Sequence, residues 1–139
     1  MALVDRLEGI VHEPTQSEGD GFDLTLAAVY EVSEPGRVDF GGGELEHAEL
    51  QQHDTELRDA DDEYEWYNLQ AGQYLLEHNE SLIDNGPAIT VQPRRALLER
   101  GASHPTISAN SLPRLPLAVG GAGIKLKENA RISTLKIPD

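Results

Sequence analysis

Between Phe22 and Val32 every second residue carries an apolar side chain: Phe22, Leu24, Leu26, Ala28, Tyr30 and Val32. Side chains of an extended chain point alternately to two faces, so this period of two predicts a strand with one buried face. Residues 33–37, SEPGR, predict a turn, because Pro35 fixes φ and Gly36 accepts positive φ. An extended run resumes at 38–40 and is broken by Gly41, Gly42 and Gly43. Further on, 73–79 and 88–92 read as strands around a turn at Asn85, Gly86 and Pro87, the second closing at Pro93. Short extended runs at 117–119, 124–126 and 131–137 are separated by GGAG and KEN, both of which supply turn residues. One helical turn fits at 95–100, while residues 3–11 suit a short helix or a strand equally. Many short strands with turns at close intervals predict an all-β barrel or sandwich.

Length places all of residues 1–139 in one domain with one core. With two Phe and one Trp, that core must rest on Leu, Val, Ile and Ala, and burial between subunits would add to it. No apolar run approaches the length of a membrane span, and charges punctuate the N-terminal stretch MALVDRLEGIVHE, so neither a membrane segment nor a secretory signal is expected and the location expected is cytoplasmic. The absence of cysteine removes disulfides and thiolate metal sites.

Charge narrows the classes of partner. Acidic residues number 25 against 11 basic ones, a net charge of −14, and only Lys125, Lys127 and Lys136 are lysines. Such a surface repels nucleic acid, whose binding depends on neutralising phosphates, so no nucleic-acid partner is expected. It suits high ionic strength, where fixed charges are screened over a few ångströms, which predicts a halophilic setting; a patch for a basic partner is the rival reading. The acidic density peaks within 44–65, where Asp54, Glu56, Asp59, Asp61, Asp62, Glu63 and Glu65 face Arg58 alone. An exposed acidic loop or hairpin insertion is expected there, since DTELRDADDEYE has no calcium-loop spacing.

Candidate chemistry centres on residues 92–106, QPRRALLERGASHPT, in which a strand runs into a turn carrying Arg94 and Arg95. Adjacent guanidinium groups suit a polyphosphate, and they suit equally a surface ion-pair cluster with Glu99. His78 and Glu80 read as a solvated strand face rather than metal ligands. GGGE and VGGAG lack the lysine of a phosphate-binding loop, and Ser81, Ser108 and Ser111 have no base beside them in a recognisable arrangement.

The segments GFDLTLAAVYEV, LQAGQYLLEHNESL, QPRRALLERGASHPT and IKLKENARISTLKI stand in an order and spacing that resembles the dCTP deaminase and dUTPase superfamily, over about residues 20–137. The resemblance implies a dUTPase-like distorted, jelly-roll-like β-barrel, a homotrimer, and a pyrimidine deoxynucleoside triphosphate, dUTP or dCTP, as the ligand. The family's RSSLARxG motif, in which the arginine and serines contact phosphates, is matched here by RRALLERG: Arg94, Leu97 and Gly101 agree, Arg95 and Ala96 replace the serines, and Glu99 replaces the second arginine. His104 and Thr106 resemble the HxT segment that lines the pyrimidine pocket. Asn110 falls nearest the aspartate of patterns such as IDPGYxG, and Leu112, Pro113 and Leu115 replace the residues that shape the base-reading hairpin. The resemblance therefore implies phosphate contacts at Arg94 and Arg95 and a pocket lined by His104, Thr106 and Asn110, and it names no catalytic residue. Magnesium would arrive on the triphosphate, with no cofactor held by protein ligands. Two functions fit these replacements: processing of dUTP or dCTP, or a catalytically inactive nucleotide-binding, regulatory or scaffold subunit.

Overall fold

The computed structural model describes residues 2–138, and its regular structure consists almost wholly of antiparallel strands. A 3-10 turn at Leu3–Arg6 leads into β1 (Leu7–Glu8), the single-turn helix α1 (Glu13–Gln16) and the long strand β2 (Phe22–Glu34). There follow β3 (Glu49–Gln52), β4 (Trp66–Leu69), β5 (Gly72–His78), β6 (Ser81–Leu82) and β7 (Ile89–Pro93). After α2 (Arg95–Leu98) come β8 (Ala102–Ser103), β9 (Ile107–Ala109), β10 (Leu115–Val119), β11 (Ile124–Lys127) and β12 (Arg131–Lys136). The main sheet runs β8-β10-β5-β2-β12-β7-β9, with β3 beside the far end of β2; β1 pairs with β6 and β11 with β4. The all-β architecture is the one expected.

Three partners share β2. Its start pairs with β12, as in Phe22 opposite Leu135 and Leu24 opposite Ser133; its middle pairs with β5, and its end with β3. Register shifts between Leu26 and Ala28 and between Arg131 and Ser133 mark bulges, which bend a strand and change the face its residues use. The simple alternation read from the sequence therefore fails after Leu26: Val29 is buried in the core, whereas Val32, expected inside, is 50 % exposed. Before the bulge both faces are covered, and Asp23 and Thr25 are as buried as Phe22 and Leu24. The strand also runs on to Glu34, so the turn begins at Pro35, and residues 38–40 form no strand.

The core is aliphatic, as the composition requires, with Leu24, Leu26, Val29, Leu76, Ile89, Val91, Leu117, Ile132 and Leu135 essentially inaccessible. Each such side chain contributes about 1.5–3 kcal/mol on burial. Within 44–65, Asp54, Glu56, Asp59, Asp61 and Glu63 are exposed, although the segment also supplies β3. Among the described residues no helix is long and apolar enough to cross a membrane.

His78 and Glu80 are not on a solvated face: they are 8 % and 2 % exposed. The Glu80 carboxylate accepts hydrogen bonds from the Thr25 amide at 2.8 Å, the Thr25 hydroxyl at 2.6 Å and the Gln16 side-chain amide at 2.8 Å. These three donors satisfy a buried charge that would otherwise be expelled, and they fasten α1 to β2.

Candidate functional site

Pro93 ends β7, and Arg94 then stands extended before α2, its backbone N–H donating to the Ile132 carbonyl at 2.9 Å. The backbone bond ties the corner to β12 and aims the Arg94 side chain along the start of β2. There Arg94 Nε lies 3.5 Å from Asp23 Oδ2, and a terminal nitrogen donates to the Arg131 carbonyl at 3.3 Å. Asp23 is the hub of this group. Arg131 approaches the same Oδ2 at 3.2 Å, and the Thr134 hydroxyl donates to Oδ1 at 3.0 Å.

The group borders an open cleft of about 380 Å³, whose walls include Arg94, Arg131 and Lys136 opposite Glu18, Asp20 and Asp23. The formal charges of those six cancel. Gly21 permits the close seating of this wall, because a Cβ there would meet the Leu135 carbonyl oxygen at 2.6 Å and Thr134 Cγ2 at 2.7 Å. Arg94 is thus already partnered, at only partial exposure. Arg95, the first residue of α2, is exposed, and its side chain makes no hydrogen bond or ion pair among the described residues. The ion-pair cluster envisaged with Glu99 does not form; Arg100 instead donates to the Ala96 carbonyl at 3.0 Å.

The structure puts His104 in the interior, with 5 % of its surface exposed. Its Nε2 lies 2.7 Å from Ser133 Oγ, and His78 Nε2 lies 2.8 Å from the same oxygen. Proton positions follow from the partners. His104 Nδ1 faces the Pro105 carbonyl at 2.8 Å, and since a carbonyl only accepts, Nδ1 carries the proton of the neutral ring. His104 Nε2 then accepts from the Ser133 hydroxyl, whose oxygen accepts in turn from His78 Nε2–H. This order leaves the lone pair of His78 Nδ1 buried without a partner. Burial, reinforced by His104, pushes the His78 pKa down to about 4. Burial also lowers that of His104, against the raising influence of the Pro105 carbonyl. Both rings are therefore neutral at pH 7, which suits a structural link between β5 and the segment after β8.

Thr106 and Asn110 are exposed. Pairing of β7 with β9 sets Val91 opposite Ile107 and Ile89 opposite Ala109, so Thr106 sits near the Arg94 end of the ladder and Asn110 beyond the other end. Thr106 and Asn110 flank β9 four positions apart, roughly 13 Å at the usual rise of an extended chain. Arg94, Arg95 and Thr106 are thus gathered at one corner, and Asn110 is not with them. The sequence reading missed Asp23, Arg131 and Ser133; the signal for the first was a carboxylate between two apolar residues of a strand, where a charge must find a partner. Among the described residues no group of three or more His, Asp or Glu could hold a metal ion.

The chain is 33% identical over 138 residues to a protein of Archaeoglobus fulgidus named "Probable deoxyuridine 5'-triphosphate nucleotidohydrolase", covering 92% of this chain and 77% of that protein. Proteins of the same name from Methanosarcina acetivorans and Methanosarcina mazei are each 30% identical over 135 residues, covering 93% of this chain and 75% of theirs. Among solved structures, 2'-deoxycytidine 5'-triphosphate deaminase from Agrobacterium tumefaciens superposes with a TM-score of 0.57 at 15% identity, over 96% of this chain and 43% of that one. The last likeness is one of fold, and the chain spans less than half the length of that neighbour. No protein-family model matches the chain.

Proposed function

The chain belongs to the dCTP deaminase and dUTPase superfamily, and from that membership we propose that it binds and processes a pyrimidine deoxynucleoside triphosphate, dUTP or dCTP, in clefts shared between the subunits of a homotrimer. The observation that carries the reading is the Arg94–Arg95 corner, where Arg94 lines a cleft with Arg131 and Lys136 and the next residue, Arg95, offers an unengaged guanidinium fork. Arg95 takes the phosphates in place of the family's missing serines, and Arg94 positions the corner through Asp23. The distance between this corner and Asn110 supports a site completed by a neighbouring subunit rather than within one chain. Thr106 lines the pocket from the corner side, Asn110 of the neighbour closes it, and His104 supports the wall from within. Magnesium travels on the triphosphate. The acidic balance supports a free nucleotide over a nucleic acid, in a cytoplasm of high ionic strength.

A second reading is favoured by a specific observation: no Asp or Glu occurs between Glu99 and Glu128, and Asn110 brings an amide where the family pattern has a carboxylate. An amide is no general base at neutral pH, so this reading is a nucleotide-binding or regulatory subunit without turnover. Thermal shift with dUTP, dCTP and dTTP, in high salt with magnesium, tests what the two readings share. A ligand at about 100 times its Kd stabilises by about 2.7 kcal/mol, and Arg95→Ala removes that shift. Absence of any shift rejects both. Chromatography of the same mixtures separates them: dUMP with pyrophosphate, or dUTP with ammonia, marks an enzyme, and unchanged nucleotide marks the silent subunit.

A further inference from the structure

Two of the five histidines, His78 at the end of β5 and His104 between β8 and β9, meet on the one hydroxyl of Ser133, at 2.8 and 2.7 Å. The hydrogen bonds run one way: His78 Nε2–H donates to Ser133, Ser133 donates to His104 Nε2, and His104 Nδ1–H donates to the Pro105 carbonyl. Every donor in this chain has an acceptor. A further proton has no place in it. Added at His104 Nε2, it turns that nitrogen into a donor and leaves the Ser133 hydroxyl hydrogen without an acceptor. The hydroxyl could turn to His78 Nε2 only if His78 carried its proton on Nδ1 instead, a buried nitrogen with no hydrogen-bond partner. Added at His78 Nδ1 directly, the proton is stranded in the same way.

The surroundings do not compensate an added charge. β2 sets Leu26 opposite His78, and β7, β8, β9 and β10 carry no titratable side chain. On β5, Glu77 pairs with Arg114; just beyond it, the Glu80 carboxylate is taken by Thr25 and Gln16. On β2, Asp23 is taken by Arg94 and Thr134 and by Arg131 of β12, while Lys136 of β12 borders the open cleft. Among the described residues, the titratable group each ring faces is the other ring, with centroids 6.4 Å apart. The three anchors differ in strength. β5 is held between β2 and β10, and β12 between β2 and β7. His104 instead stands in a segment, 104–106, that belongs to no strand and joins the two-residue β8 to the three-residue β9. Its neighbours Pro105 and Thr106 are exposed, so the buried ring is what pins this segment to the interior.

We propose that His78, Ser133 and His104 form a proton-sensitive latch, which clamps residues 104–106 onto β12 while both rings are neutral and releases them when a proton is taken up from solvent. Thr106 moves with the segment, so acid opens this wall of the pocket before it unfolds the sheet. In the released segment His104 lies in water and charges near its ordinary pKa of 6.5, whereas in the clamped one burial lowers it; the clamp is complete above that pH and weakens as pH falls. The effect on nucleotide rests on the proposed function, and the latch itself does not. Hydrogen exchange with mass spectrometry, on the chain without nucleotide and corrected for the intrinsic effect of pH, tests the latch. From about pH 7 to 5 the peptide covering residues 102–107 is expected to exchange about tenfold faster, while peptides from β5 and β12 stay protected over the same period. His78→Gln keeps a donor for Ser133 and can also turn its amide oxygen to the Ser133 hydroxyl, so a charged His104 stays in place and the increase falls to about twofold. Ring NMR of the wild type at neutral pH is expected to find the proton of His104 on Nδ1 and that of His78 on Nε2, a check that needs no variant. Exchange that is unchanged, that rises only together with β5 and β12, or that rises equally in His78→Gln overturns the latch, as does a proton on Nε2 of neutral His104. Calorimetry with dUTP at the same two pH values reads the link to the pocket, with the wild type losing several-fold more affinity than the variant. Equal losses overturn that link, and no binding at neutral pH rejects the nucleotide reading while exchange still decides the latch.

Discussion

Acidification is expected to loosen this fold through His78. In the native state this ring donates from Nε2 to Ser133, and its other nitrogen faces no partner. Protonation would place a buried cation beside His104, and burial first and that neighbour second lower the folded pKa to about 4 from the usual 6.5. In the unfolded chain the ring is free to charge at about pH 6.5, so between the two values the unfolded state holds the extra proton and stability rises with pH. The contribution is fully present above about pH 6.5 and is lost as pH falls toward 4. A difference of that size corresponds to about 3 kcal/mol, a substantial share of an ordinary domain's stability. His104, lowered in the same direction, adds to the slope. Protonation of the many surface carboxylates changes stability over an overlapping range, so the measurement is a comparison with His78→Gln, whose amide donates to Ser133 and does not titrate. Urea unfolding followed by far-UV circular dichroism at steps from pH 7 to 4, at constant ionic strength, should show the wild type losing about 3 kcal/mol more than the variant. Parallel curves would refute the reasoning.

Asp23→Asn keeps an oxygen for the Thr134 hydroxyl but removes the charge that holds Arg94 and Arg131. Unfolding free energy is expected to drop by about 1–3 kcal/mol while pyrophosphate, titrated by calorimetry, binds several-fold more tightly to the freed arginines; unchanged affinity would mean that Asp23 does not restrain them. Glu80→Ala strands the Thr25 amide and one of the two Gln16 side-chain N–H groups in the interior and is expected to cost about 2–4 kcal/mol in denaturant unfolding, with α1 released to faster hydrogen exchange.

The parts of the fold legible in the sequence were those written in local periodicity. Apolar residues of the first half of β2, and the runs at 73–79, 88–92 and 131–137, announced strands because each buries alternate side chains against its neighbours. The bulge after Leu26 left no mark, since its cause lies in the registers of β5 and β12, far along the chain. Residues 107–109 escaped for a related reason: three residues are too few to display a period. His78 was misread because a histidine beside Asn79 and Glu80 has the composition of a wet face; Ser133 and Gln16, distant in sequence, make the site dry. At the corner, the paired arginines were visible as adjacent letters. Their division into one engaged by Asp23 and one left open is a tertiary fact, as is the separation of Asn110 from both.

The three-way sharing of β2 also has a consequence for biosynthesis. The first half of β2 is flanked by β12, which lies far along the chain, so until that strand is made it waits with a hydrogen-bonding edge and the apolar Phe22 and Leu24 uncovered. Closure is thus a late event dominated by sequence-distant pairings, the slow kind of search, during which the nascent chain is vulnerable to sticking to its neighbours. The heavy negative charge that governs its native surface would then act as a guardian during synthesis, opposing close contact between half-made chains until β12 arrives, over the few ångströms that salt leaves unscreened.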